Sequence, residues 1–258
     1  MTAALPKVRE WLEKTGFPLE MAAAASLRQA GFFVRQSSTY ADPQTDKGRE
    51  IDVLASDDDW LGDFETSFVI ECKASRKPWV VLKSNDALAA YNRLFAFAVM
   101  TQSARVAIAD ALDRGDPVSR FIKREDSGGY GFRQAFSEDA DPAYSAAINV
   151  LKACHGLVNG RAPGVPVQKH VAFPVIVVDA PLFECSLQED GDLLITEVRQ
   201  SEFLFTAHLP TTVGCCIRVV TKSDLQEFSL RAKEVADAIR NDVADIRTRQ
   251  LPRGDGSE

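Results

Sequence analysis

Ser67-Phe-Val-Ile-Glu-Cys-Lys-Ala-Ser75 decides how the rest of the chain is read. Three apolar residues, Phe68, Val69 and Ile70, lead into Glu71, Cys72 and Lys73. Residues two apart in a strand share a face, so Glu71 and Lys73 point one way while Phe68, Ile70 and Cys72 face a core. An acid and a base closing a buried strand are costly unless they are paired or bind something. No other Glu-x-Lys or Asp-x-Lys occurs in the chain.

What precedes that stretch gives it meaning. Ala4 to Lys14 sets Leu5, Val8, Trp11 and Leu12 on one stripe and predicts a short amphipathic helix ended by Gly16. Pro18 and the helix formers of Leu19 to Ala30 predict a second helix, with Glu20 in its first turn. An acid there also complements the helix dipole. After Gly31, Phe32 to Tyr40 reads as a strand; a polar turn from Ala41 to Gly48 then leads into a second strand, Arg49 to Ala55. Alternation puts Ile51, Val53 and Ala55 on one face and Glu50, Asp52 and Leu54 on the other. An Asp inside such a strand runs against β propensity and needs a reason. Ser56 to Glu65 is an acidic connection, most simply a solvated hairpin loop, and the opening stretch is the third strand.

A helix carrying Glu20, then Asp52 in Arg49-Glu-Ile-Asp-Val-Leu54, then Glu71-x-Lys73, resembles the PD-(D/E)xK nuclease superfamily. The likeness is strongest to its resolvase-like and Mrr-like branch, where a helix Glu precedes the first strand. It covers roughly Phe17 to Pro78, and a later helix and strand fit the fold loosely. Ile51 stands where the family name has proline, and no Gln-x-x-x-Tyr follows on the next helix, since Ala87 lies four residues before Tyr91.

The resemblance implies an α/β fold: a restriction-endonuclease-like mixed sheet flanked by helices, with a C-terminal β-hairpin extension and a closing helix. As domains, it implies one unit over 1–250, with a catalytic core at 17–180, the hairpin and helix at 181–250, and a flexible tail at 251–258. It also implies a magnesium-dependent endonuclease acting on DNA, with manganese able to substitute. Catalysis would fall to Glu20, Asp52, Glu71 and Lys73. Asp52, Glu71 and the Cys72 backbone carbonyl would hold the metal, and Glu20 would reach it through water or hold a second ion.

Those residue types suit the chemistry. Hydrolysing a phosphodiester needs an activated water, neutralised phosphate charge and a stabilised leaving oxygen. Magnesium takes hard oxygen ligands and keeps several waters. Arg76 and Lys77, just past the strand, and Arg120, Lys123 and Arg124 are assigned to substrate phosphate. Glu50 shares the face of Asp52 and is the reserve ligand, Asp57 to Asp59 are nearby acids, and Glu184 lacks a following lysine and is read as structural. Two competing readings stand beside the nuclease. One is a structural salt-bridge cluster; the other is a nuclease fold kept as a binding or scaffold subunit that cuts only with a partner or not at all.

The remaining chain predicts a short strand from Trp79 to Leu82 and a mostly helical stretch from Asn85 to Asp113. Gly128, Gly129 and Gly131 read as a mobile surface loop near the substrate groove. Pro142 to Val158 predicts a helix burying Ala146, Val150, Leu151 and Leu157, and the Pro/Gly-rich Arg161 to Lys169 is a connector. Val171 to Asp179 is a near-continuous apolar run, as in a central strand covered on both faces. Leu182 to Leu187 and Leu193 to Phe205 flank a hairpin turn at Gln188 to Asp192, and Gly214 to Thr221 is the last strand. Ser223 then caps a helix from Asp224 to about Arg247, with Leu225, Phe228, Val235, Ile239 and Val243 on its stripe.

Composition sets outer limits. Of 258 residues, 30 are Lys or Arg and 37 Asp or Glu, a net charge of -7 that argues against tight, nonspecific binding to long duplexes. Five cysteines without Cys-x-x-Cys spacing imply reduced thiols, and His155, His170 and His208 offer no zinc-like spacing. With no signal core after Met1 and no membrane-length apolar run, the expected setting is the cytoplasm, with DNA, or RNA, as partner and a homodimer or partner protein possible in principle.

Overall fold

The computed structural model describes residues 4–58, 63–85, 87, 96–109, 118, 128–137, 141–160 and 169–250, the side chains of 242–250 excepted. Helix α1 is Leu5–Glu13 and α2 is Phe17–Gln29; three antiparallel strands follow, β1 (Phe33–Ala41), β2 (Gly48–Asp58) and β3 (Phe64–Lys73). Then come β4 (Trp79–Ser84), β5 (Val99–Met100), α3 (Gln102–Ala109), β6 (Gly128–Gln134) and α4 (Pro142–Asn159). The chain continues through β7 (Lys169–Val178), β8 (Leu182–Leu187), β9 (Leu193–Val198), β10 (Gln200–Leu209), β11 (Thr211–Thr221) and α5 (Leu225–Gln250). All strands join one mixed sheet in the order β1-β2-β3-β7-β11-β10-β6-β4-β8-β9, with β5 beside β7.

The sheet has a core on each face. Phe68, Ile70 and Cys72 of β3 pack with α2, α3 and α5, while Val69 faces α4. Glu71 and Lys73 continue the Val69 side, as the alternation requires. Phe68 anchors the first core, stacked on Phe173 at 4.9 Å and meeting Phe32 and Phe228 edge-on. Leu225, Phe228, Val235 and Ile239 of α5 are buried there, and the side chain of Val243 lies outside the described residues. On the other face α4 buries Ala146, Val150 and Leu151 and holds Leu157 partly exposed.

β7 is central and buried along nearly its whole length, and it runs parallel to β3. Its Pro174 has no N–H to give a ladder, and a gap receives it. On that edge β5 pairs only as far as Ala172 and β11 begins at Val175.

Several expectations are corrected. Helix α1 forms, yet none of its residues is buried, and Leu5, Val8 and Trp11 are about half exposed. In β2, Ile51 packs with Leu54 on the α4 side, opposite Val53 and Ala55. The alternation slips at Asp52, whose neighbour on β1, Ser37, has a left-handed φ of 52° and pairs with nothing between Gln36↔Val53 and Ser38↔Ile51. Within the stretch expected to be helical, Val99–Met100 is a strand and Gln102–Ala109 a helix; Tyr91, Leu94 and Phe95 lie outside the described residues.

The glycine cluster is not a mobile loop but strand β6, paired with β4 and β10. A Cβ on Gly129 would lie 2.2 Å from the Glu202 carbonyl oxygen, so glycine is what lets β10 approach. The hairpin at Gln188 to Asp192 forms as expected, and β8 and β9 extend the sheet at its outer edge. Leu193 to Phe205 breaks at Arg199, and β10 and β11 insert mid-sheet, β11 parallel to β7. Ser223 bonds to Thr221 Oγ1 within a short 3-10 turn that opens α5, rather than capping the helix.

Candidate active site

The site forms where two strands part. β2 and β3 pair from Asp58↔Glu65 to Val53↔Ile70 and then separate, which leaves the backbone of β3 beyond Ile70 without its β2 partner. The Asp52 side chain fills that place: its Oδ2 accepts the Cys72 N–H at 2.7 Å. A charged acceptor on a backbone donor is among the stronger hydrogen bonds available. This is the reason for an aspartate inside a strand, and it draws Asp52 to Glu71 and Lys73.

Glu71 is 8% exposed, and its Oε1 takes Lys73 Nζ at 2.7 Å and Asn149 Nδ2 of α4 at 3.3 Å. Glu20 reaches the same place from the first turn of α2, its carboxylate lying over Gly16 at the helix start. Burial lifts the Glu71 carboxyl above its ordinary range, and Asp52 lifts it further, against the pull of Lys73. Burial likewise raises Asp52, opposed by the Cys72 N–H and Lys73 and reinforced by Glu50. Glu20 is raised by burial and then by Asp52, Glu50 and Glu71. The structure therefore brings Glu20, Asp52, Glu71 and Lys73 into one electrostatic neighbourhood, with Glu50 as a fifth member.

The charge balance of this neighbourhood differs from the rest of the molecule. Asp57 is held by Arg240 and by Lys233 at 3.1 Å. Asp42 is met by Lys152 at 3.1 Å and Arg49 at 3.4 Å. Burial pushes the Asp42 carboxyl up, but the Gln44 N–H, Lys152 and the Thr45 N–H bring it below its ordinary value. Each of those acids has two cations. Among the described residues, the carboxylates of Glu20, Asp52 and Glu71 share Lys73 as the cation that acts on each of them.

The other expected contacts fare differently. Arg76 and Lys77 are exposed, and Lys77 Nζ donates to the Phe136 carbonyl at 2.7 Å. Arg120, Lys123 and Arg124 lie outside the described residues. The glycine strand is four strands from β3 in sheet order, yet its C-terminal end meets the segment after the site, where Gln134 Nε2 donates to Ser75 Oγ at 2.8 Å. Glu184 pairs with Lys83 at 3.2 Å and accepts from Ser201 at 2.6 Å, a structural arrangement.

Sequence reasoning missed what α4 and β1 contribute. Asn149 contacts Glu71, Lys152 contacts Asp42, and Gly156 packs so closely that a Cβ there would lie 2.7 Å from Tyr40 Cδ2. The spacing of 149, 152 and 156 puts all three on one helix face, a signal that was readable. The Tyr40 hydroxyl is pushed up to about 12 by burial, then by Asp42 and Glu71.

The donor set suits a hard divalent cation: carboxylate oxygens of Asp52 and Glu71, the Cys72 carbonyl, and Glu20 at longer range. Among the described residues no three His, Cys, Asp or Glu groups are drawn together at ligating spacing. Magnesium is commonly held by one or two carboxylates plus waters and phosphate oxygens, so two close acids satisfy its usual protein share. No family model, curated protein or solved structure matches this chain.

Proposed function

We propose that this chain is a magnesium-dependent nuclease that hydrolyses DNA phosphodiester bonds, with manganese able to substitute and RNA the second candidate substrate. The observation that carries the reading is Asp52 bonded to the Cys72 N–H where β2 leaves β3, which sets it beside Glu71 and Lys73 with an excess of negative charge. A structural ion-pair cluster balances its charges, as those at Asp57 and Asp42 do; this one has, among the described residues, more carboxylates than cations, a balance that a bound cation would restore. The order of elements supports the same reading: α2, the antiparallel β1-β2-β3, then α4 and the parallel strand β7 provide the helix and strand expected after the motif.

When bound, the metal would neutralise phosphate charge and acidify a water. Asp52 and Glu71 would hold it, with the Cys72 carbonyl, and Glu20 would act through water. Lys73 would orient the attacking water and stabilise charge developing on the phosphate. Asn149 would keep Glu71 Oε1 in place. Arg76, exposed beside the site, would meet the substrate backbone, whereas Lys77 would first have to release the Phe136 carbonyl.

The second reading, a binding or scaffold subunit without cleavage of its own, is favoured by one observation: Glu71 Oε1 is already occupied by Lys73 and Asn149. Lys73→Ala separates the two. If Lys73 serves the transition state, the variant loses single-turnover cleavage in magnesium by about a hundredfold or more, while its affinity for the same DNA in calcium changes little. Unchanged cleavage by Lys73→Ala would overturn the assignment.

A further inference from the structure

The two edges of the sheet are built differently. β1, at one end, carries Arg35 and is kinked by the left-handed Ser37, devices that discourage another strand from adding there. β9, at the other end, is unkinked, and its one charged residue is Glu197. Its sequence Leu193-Leu-Ile-Thr-Glu-Val198 contains no Lys, Arg or Pro, and it keeps unbroken register with β8 from Leu182↔Val198 to Leu187↔Leu193. Among the described residues no strand pairs with its outer edge. Leu193, Leu194 and Ile195 are 65%, 52% and 59% exposed. An exposed, unbroken, apolar edge strand is a template for strand addition.

We infer that β9 is a self-association edge, joining two copies of this chain through antiparallel β9–β9 pairing about a two-fold axis. Three features select a second copy in this orientation. The edge of one strand complements the same edge turned end for end, which is what a two-fold interface requires. An axis perpendicular to the sheet keeps the same face up in both copies. Leu82, Cys185 and Ile195 stand in register on one face, with Leu187 and Leu193 beside them, so the two patches merge into one apolar strip.

Charge fixes the direction. β9 is preceded by the acidic turn Glu189-Asp-Gly-Asp192 and followed by exposed Arg199. Antiparallel pairing brings Arg199 of each copy alongside the acidic turn of the other, whereas parallel pairing sets acid against acid. The size is adequate for a modest dimer. Leu187, Leu193, Leu194 and Ile195 are all more than half exposed, and edge pairing covers part of each in both copies. Backbone pairing and the turn contacts add to this, toward the roughly 800 Å² per partner of a standard interface.

Sedimentation velocity of the full chain, from about 1 to 100 μM, tests the inference. Wild type should reach twice the monomer mass in that range. Ile195→Lys, a change at an exposed position, should weaken association tenfold or more with an unchanged circular dichroism spectrum. Arg199→Glu should also weaken it, and adding Glu189→Lys should recover part of the loss. The charge pair decides the matter if Ile195→Lys disturbs folding. A monomeric wild type across the range overturns the inference. So does a dimer indifferent to Ile195→Lys and Arg199→Glu, or one abolished by Trp11→Lys on α1 instead.

Discussion

Replacing Asp52 by Asn or by Ala separates a metal site from a structural cluster, because the two substitutions treat the Cys72 N–H differently. Asn still offers an oxygen to that donor, exchanging a charge-assisted bond worth about 1.5–3 kcal/mol net for a neutral one worth about 0.5–1.5 kcal/mol. Against this loss stands the removal of a negative charge from a place where burial and Glu50 disfavour it. The two effects oppose each other, so without divalent metal Asp52→Asn should stay within about 1 kcal/mol of wild type. Ala removes the acceptor and leaves the Cys72 N–H unsatisfied, which costs about 1–3 kcal/mol, or about 2–10 °C of melting temperature for a chain of this size. Magnesium at about a hundred times its dissociation constant should stabilise wild type by about 2.7 kcal/mol. Both variants should lose most of that increment. Thermal melts in EDTA and over a magnesium series provide the assay. If Asp52→Asn keeps the full magnesium increment, or loses several kcal/mol in EDTA, Asp52 is a structural ion-pair partner and not a metal ligand.

The same geometry makes two further predictions. The Glu20, Asp52 and Glu71 carboxyls are raised above their ordinary values of 4.5, 3.8 and 4.5, so their contribution to stability is fully present below those values and is lost as pH rises through the folded ones. In EDTA, the stability of Asp52→Asn relative to wild type should therefore improve as pH rises from about 4 to 8, and magnesium should abolish the trend; a relative gain by wild type in EDTA counts against it. Gly129→Ala sets a methyl group 2.2 Å from the Glu202 carbonyl oxygen, and the required shift of β6 from β10 should cost about 3 kcal/mol or more. A denaturant melt within 1 kcal/mol of wild type, roughly the size of an ordinary surface effect, would show that β6 is not packed as described.

The parts of the fold that were legible in the sequence are those fixed by local period and punctuation. The two-residue spacing of Glu71 and Lys73 after an apolar run placed both on one face, and the turn at Gln188 to Asp192 closes as a hairpin with Gly191 at φ 89°. Asp52 was legible as an anomaly, although its partner, the Cys72 backbone N–H, was not. What failed depended on distant neighbours. Ile51 lies on the unexpected face because Ser37 on the adjacent strand interrupts the pairing. The glycines of β6 have poor strand propensity, and only the approach of β10, some seventy residues later, explains them. Asn149 resembles any exposed polar residue on a helix until α4 is laid across the end of β3. The mid-sheet place of β10 and β11 follows from strand order, which local pattern does not encode.

Cleavage of phosphodiester bonds is the activity proposed for these residues. Wild-type protein, incubated with end-labelled duplex, single-stranded, flapped and branched DNA and with RNA, tests it most directly when each substrate is run with magnesium, manganese, calcium and EDTA. Cleavage of at least one substrate in magnesium or manganese, none in EDTA, and none by Asp52→Asn or Lys73→Ala is the predicted result. Binding without cleavage in every metal, by wild type and variants alike, would contradict it.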